Sequence, residues 1–217
     1  MATYVQDTFT DTNGTALNAH TPDIGGSGAW NALQGTLRIN NNMVDMDAHF
    51  GRYENNCTVS PSSADYEVSV DVVWNGGDGW ANKTGVLGRW DTSGPHVAGY
   101  EAFYDENDST WYLRYWSSSS LQGTLGTYAD AGFTSGTKTL KLGMVGTAIK
   151  VYIDGVERIS ATNSTITAAN KGGLLMEGGL KDGFRTNNFL YADAAAASGV
   201  VSDNKLVKQA VNRAATY

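Results

Sequence analysis

The chain has 217 residues, one cysteine, and 15 Lys plus Arg against 22 Asp plus Glu, for a formal net charge of −7. That length suits one large domain, able to bury about 70% of its unfolded surface without a disulfide or metal, and Cys57 has no partner for an intrachain bridge. The acidic balance speaks against nucleic-acid binding, no apolar run is long enough to span a membrane, and 26 glycines with 11% aromatic and 17% charged residues argue against a helical or a disordered protein.

The opening Met-Ala-Thr-Tyr-Val-Gln-Asp has neither a basic region nor an apolar core, which predicts that no signal peptide is present. Short strands are expected at 3–9, 36–39, 43–47 and 52–59. In 66–74, Tyr66, Val68, Val70, Val72 and Trp74 share one face while Glu67, Ser69 and Asp71 share the other. This period-two pattern predicts a half-buried strand. A further strand is expected at 84–90. A hairpin is predicted over 98–116, where Tyr100, Ala102 and Tyr104 alternate with Gly99, Glu101 and Phe103. The polar run Asp105–Ser109 makes its turn, Trp111 to Trp116 returns, and Ser117–Ser120 reads as a loop. An antiparallel meander is predicted over 139–160. Its strands carry Leu140, Leu142 and Met144, then Ile149, Val151 and Ile153, then Val156 to Ile159. Gly146-Thr147 makes the first connection. Asp154-Gly155 makes the second, a dipeptide suited to a type I′ turn because both central residues need positive φ. Strands at 173–177 and 188–192 follow. About a dozen short strands with polar turns predict an all-β, antiparallel two-sheet sandwich.

The end of the chain differs. Leu206, Val207, Ala210, Val211 and Ala214 fall on one helical face, and residues 199–217 carry a net +2. A domain over 1–193 and a C-terminal tail over 194–217, helical in part, are therefore expected. The tail is either a frayed terminus that packs on its own domain or stays disordered, or an arm that docks on a neighbouring subunit or partner through Lys205, Leu206, Lys208, Val211 and Arg213.

No catalytic signature stands out. His20, His49 and His96 lack a nucleophile-elbow context, and there is no CxxC, HExxH, Walker A or dinucleotide fingerprint. No cofactor and no metal are expected, and the acidic stretch Glu101–Asp108 reads as a solvated turn, with a calcium loop as the second reading. Binding is the remaining class. Sugars need a planar apolar surface for their C–H faces and fixed amide or carboxylate groups for their hydroxyls. Asp78, Trp80 and Asn82 in a glycine-rich loop, with Arg114 and Trp116 on a strand, supply those types. Arg89-Trp90-Asp91 mixes the same residue types. Trp74, Trp90 and Trp111 are assigned to the core.

Three stretches resemble the concanavalin A-like lectin/glucanase superfamily, and within it the laminin-G-like jelly rolls. They are Asp7–Thr15 with His20-Thr21-Pro22-Asp23 and the loop to Trp30, the meander from Leu140 to Gly155, and Gly173–Gly179 with Asn187–Tyr191. The resemblance implies a jelly roll with one concave face and the last strand beside the first. It covers about residues 3–193. The glucanases of this superfamily carry Glu-x-Asp-x-x-Glu on one strand. The nearest match, Glu67-Val-Ser-Val-Asp71, lacks the second Glu, so a non-catalytic protein is expected. Lectin-like sandwiches mostly act outside cells, yet neither an export signal nor a disulfide is expected here. A bacteriophage virion surface protein, made in the host cytoplasm, reconciles the two. The expectation is a capsid decoration (cement) or tail-associated protein that contacts other virion proteins, as a homo-oligomer such as a trimer, with glycan binding as an added role. The alternative is a carbohydrate-binding module or glycoside hydrolase of the same superfamily.

Overall fold

The computed structural model describes residues 2–47, 51–76, 82–168, 170–178 and 183–194. Fifteen strands follow one another in the order β1 (Thr3–Asp7), β2 (Trp30–Gln34), β3 (Leu37–Asn40), β4 (Met43–Met46), β5 (Gly51–Cys57), β6 (Tyr66–Trp74), β7 (Lys83–Trp90), β8 (Gly99–Asp105), β9 (Thr110–Ser117), β10 (Ser120–Ala129), β11 (Gly136–Val145), β12 (Ala148–Ile153), β13 (Val156–Thr162), β14 (Lys171–Gly178) and β15 (Phe184–Asp193). One 3-10 turn, Leu17–Ala19, lies between β1 and β2.

The strands form two antiparallel sheets. One has eight strands in the order β13-β12-β11-β6-β15-β4-β3, with β1 paired to β15. The other has seven, in the order β10-β9-β8-β7-β14-β5-β2. The last strand therefore lies beside the first, as the resemblance implies, with Val5 opposite Tyr191 and Asp7 opposite Phe189.

Alternation in the sequence explains which faces meet. Tyr66, Val68, Val70, Val72 and Trp74 of β6 are buried, as are Leu140, Leu142 and Met144 of β11. Val86, Tyr100, Ala102, Tyr104, Trp111, Leu113, Leu174 and Met176 join the same core from the seven-stranded sheet. Burying each large apolar side chain contributes about 1.5–3 kcal/mol before the entropy of ordering it is subtracted. Trp74, Tyr104, Trp111, Phe133 and Phe184 cluster at one end, with the Tyr104 and Trp111 centroids 4.9 Å apart.

The predicted turns form as expected. Asp154 and Gly155 have φ of 51° and 76°, the left-handed pair of a type I′ turn. Ser118 and Ser119, read above as part of a loop, also have left-handed φ (51° and 59°) and turn the chain from β9 into β10. Strand β10 was not expected. Its sequence, Ser-Leu-Gln-Gly-Thr-Leu-Gly-Thr-Tyr-Ala, is polar and mostly exposed because it is the outermost strand of its sheet. Glu101 lies in β8, as the hairpin alternation predicts and not in the acidic turn; Asp105 ends that strand, and only 106–109 make the turn. The tail beyond residue 194, with Lys205, Leu206, Lys208, Val211 and Arg213, lies outside the described residues.

A candidate carbohydrate site on the seven-stranded sheet

The outer face of the seven-stranded sheet carries a second, smaller apolar cluster. Leu87, Trp90, Phe103 and Leu175 are fully buried there, and Leu33, Tyr112 and Trp116 pack against them. Trp90 is thus buried as predicted, but in this cluster rather than between the sheets. Strand register accounts for the grouping, since Tyr112 lies opposite Phe103, Phe103 opposite Gly85, and Gly85 opposite Leu175.

Above this floor opens a cleft of about 620 Å³, lined in part by Arg52, Lys83, His96, Glu101, Arg114, Trp116 and Glu177. One row of directly opposed residues alternates in charge across four strands. Asp105 on β8 faces Lys83 on β7, Lys83 faces Glu177 on β14, and Glu177 faces Arg52 on β5. Opposite charges in such pairs stabilise the ladder.

Arg52 is the hub. Its Nε donates to Glu54 Oε1 at 2.6 Å, Nη2 to Glu101 Oε2 at 2.6 Å, and Nη1 to Glu177 Oε2 at 3.1 Å. Glu54 and Glu101 are 0% and 1% exposed, so two carboxylates are held beneath the guanidinium and away from solvent. Burial alone would lower the Arg52 pKa, but the charges of Glu101 and Glu54 and their hydrogen bonds outweigh it and raise it. Glu177 also accepts from Lys83 Nζ at 2.6 Å. Burial pushes the Glu177 carboxyl up, yet Lys83 and Arg52 together hold it below its ordinary value. His96 Nε2 lies 2.8 Å from Glu54 Oε1. The His96 ring stacks on Trp116 with centroids 4.8 Å apart, and the Arg52 guanidinium carbon lies 5.4 Å from the centre of the Trp116 ring.

The expected site residues separate. Arg114 and Trp116 do line this cleft. Trp116, however, carries His96 and Arg52 on its ring and so orients them, where the sequence suggested an open stacking platform. Asn82 is 1% exposed and its amide donates to Glu106 Oε2 at 2.8 Å, which ties it to the β8–β9 turn and not to the cleft. Asp78 and Trp80 lie outside the described residues. Arg89 is also buried and inward, donating to the carbonyls of Ala64 (3.0 Å) and Ile166 (2.9 Å).

Sequence reasoning missed Arg52, Glu54, Lys83 and Glu177. One signal was present, because Arg52 and Glu54 are two apart in an expected strand and must share a face. Their convergence with Glu101 and Glu177 depends on strand order, which the sequence does not display. Among the described residues, no group of three or more His, Cys, Asp or Glu could hold a metal ion.

No family model matches the chain, and no curated protein matches it in sequence. Solved structures do match its fold. The carbohydrate-binding module CBM66 from Bacillus subtilis superposes with a TM-score of 0.63 at 18% identity, covering 76% of this chain and 96% of the module. An entire structure described with endo-acting O-glycanases of the human gut microbiota that initiate mucin breakdown gives 0.62 at 8% identity, covering 89% of this chain and 100% of the other. The β-glucanase of Bacillus licheniformis gives 0.57 at 10% identity, covering 90% and 99%. These similarities lend no support to the virion surface reading. Two antiparallel sheets, the pairing of first and last strands and these neighbours together define the fold of the chain as an antiparallel two-sheet jelly-roll sandwich.

Proposed function

We propose that the protein is a non-catalytic carbohydrate-binding domain that holds a sugar in the Arg52 cleft. The observation that carries this reading is the fixed array of charged donors and acceptors around Arg52, set over an apolar floor and open to solvent. Sugar hydroxyls both donate and accept, so a surface that alternates Lys83, Glu177 and Arg52 can bond adjacent hydroxyls in both directions. The groups are held in place before any ligand arrives, which reduces the entropy cost of binding. The fold neighbours, a carbohydrate-binding module and a glucanase among them, favour this reading over a virion structural role.

The state of the carboxylates supports binding over hydrolysis. A glycosidase needs one carboxylic acid with a raised pKa and a second carboxylate free to act as base or nucleophile. Here Glu54, Glu101 and Glu177 each accept a hydrogen bond from Arg52, and the Glu177 pKa is lowered. The Glu177 carboxyl, held ionised by Lys83 and Arg52, is a poor proton donor at neutral pH.

Calorimetric titration against a panel of neutral and acidic oligosaccharides tests the reading. Arg52→Lys keeps the charge but cannot reach three carboxylates in a planar fork, and we expect about tenfold weaker binding or worse. The reading fails when no sugar binds, or when Arg52→Lys binds as the parent does. Release of reducing ends that disappears in Glu101→Gln would replace the binding domain with a hydrolase.

A further inference from the structure

Arg114 differs from the other basic side chains that line the cleft. Arg52, Lys83 and His96 each lie within ion-pair distance of a carboxylate, at 2.6, 2.6 and 2.8 Å. Arg114 makes no ion pair among the described residues, and its buried Nε has no hydrogen-bond partner. Strand register would allow one, since Arg114 on β9 lies directly opposite Glu101 on β8. Glu101 instead gives its carboxylate to Arg52.

The Arg114 guanidinium is nonetheless well held. Its carbon lies 4.5 Å from the centre of the Tyr112 ring and 5.0 Å from that of Phe103, and those two rings are themselves stacked with an interplanar angle of 15°. Tyr112 is fixed in turn by a hydrogen bond from its hydroxyl to Asp108. Stacking uses the faces of a guanidinium and leaves its in-plane N–H donors available. A planar, positioned and unpaired guanidinium at the edge of a polar cleft matches the two oxygens of a carboxylate.

We infer that Arg114 recognises the carboxylate of an acidic sugar, so that the ligand of this cleft is a uronate-containing glycan. The inference rests on the carbohydrate reading above and specifies its ligand class. The acidic residues of the site do not oppose it. Glu54 and Glu101 are buried under Arg52, and the partly exposed Glu177 is paired with both Lys83 and Arg52. The charge of Asp105 also acts on Arg114, but Asp105 lies 4.0 Å from Lys83 Nζ and makes no ion pair with Arg114, so an approaching anion meets in Arg114 a guanidinium whose donors are not engaged by a carboxylate among the described residues.

The test compares oligogalacturonate and oligoalginate fragments with the same fragments after reduction of their carboxyl groups to primary alcohols, titrated into the full-length protein. We expect the acidic form to bind about tenfold more tightly or better, as for a hydrogen bond to a charged group. Binding should weaken as sodium chloride rises from 50 to 500 mM. Arg114→Met should erase the difference between acidic and reduced forms while leaving the weak binding of the reduced form in place, and Arg114→Lys should keep part of it. Equal binding of the acidic and reduced sugars by the parent protein overturns the acidic preference and leaves the carbohydrate reading intact. An unchanged preference in a folded Arg114→Met protein overturns the role of Arg114. No binding to any sugar, acidic or neutral, overturns both readings together.

Discussion

Glu177 shows how one side chain links the cleft to the stability of the sheet. It joins the cross-strand charge row to the Arg52 hub, accepting from Lys83 on one side and Arg52 on the other. Its carboxyl is held below the ordinary glutamate value of 4.5 in the folded chain, because these two cations outweigh the burial that would raise it. When the chain unfolds the cations leave, and the carboxyl returns to its ordinary value. The stabilisation is therefore complete above pH 4.5. It declines as pH falls through the lowered folded value, because the unfolded chain takes up the proton first. Urea unfolding followed between pH 7 and pH 3 should show this acid decline, and Glu177→Gln should make it shallower while lowering stability at pH 7. A Glu177→Gln protein with the same pH profile as the parent would remove Glu177 from the acid response. The nearby carboxylates Glu54 and Glu101 are more deeply buried, so a variant that lost Arg52 altogether would strand two charges beneath the sheet surface.

At the level of the strands, the middle of the seven-stranded sheet depends on two glycines for close contact. A Cβ on Gly85 of β7 would lie 2.0 Å from the carbonyl oxygen of Ala102 and 2.6 Å from Cα of Phe103. One on Gly173 of β14 would lie 2.4 Å from the carbonyl oxygen of Asn55. These are backbone atoms of neighbouring strands, which cannot rotate away. Gly85→Ala should therefore cost about 1–3 kcal/mol, in the range of overpacked cores, and should also disturb Phe103 and the Arg114 guanidinium stacked on it. Equilibrium unfolding in urea reads the first effect and near-ultraviolet circular dichroism the second. A Gly85→Ala protein as stable as the parent would show that the strands separate freely. The elements themselves were largely legible in the sequence. Period-two burial placed β6, β11 and β12 because those strands present one apolar and one solvated face. Strand β10 escaped because an edge strand has little to bury, and Trp30–Gln34 escaped because β2 is short and four of its five residues stay partly exposed or exposed. The site was far less legible. Trp116 and Arg114 stood out by residue type, but Arg52 draws its meaning from Glu101 and Glu177, which reach it only once β5, β14, β7 and β8 are side by side.

Across the whole molecule, the two sheets are fastened to one another near the start of the chain and the first strand is fastened to the last. Asp7 of β1, buried, accepts from Trp30 Nε1 of β2 at 2.8 Å, so a strand of the eight-stranded sheet grips one of the seven-stranded sheet. His20 bridges the same carboxylate to Asp11, with its ring nitrogens 3.0 Å from Asp7 Oδ1 and 2.8 Å from Asp11 Oδ2. Burial raises the pKa of Asp7 despite these partners, whereas the hydrogen bond from His20 lowers that of Asp11. At the other end, Asp193 Oδ2 accepts from the backbone N–H of Ala2 at 2.8 Å, the Asp193 N–H donates back to the Ala2 carbonyl at 2.9 Å, and the Tyr4 hydroxyl donates to the same carboxylate. The Ala194 N–H then donates to the Asp65 carbonyl at 3.2 Å. With these bonds the sandwich has closed its first and last strands on each other, and every core residue named above lies within residues 2–194. Removal of residues 195–217 should therefore leave a single cooperative thermal transition, with a midpoint within about 2 °C of the full chain, a shift that corresponds to less than about 1 kcal/mol for a domain of this size. Asp193→Ala in the shortened chain should lower the midpoint further, because it frees β1 at the edge of its sheet. A truncated protein that melts broadly, or several degrees lower, would mean that the C-terminal segment contributes to the core. That outcome would also move the search for partner contacts away from Lys205, Lys208 and Arg213, since residues needed for folding are poorly placed to dock elsewhere.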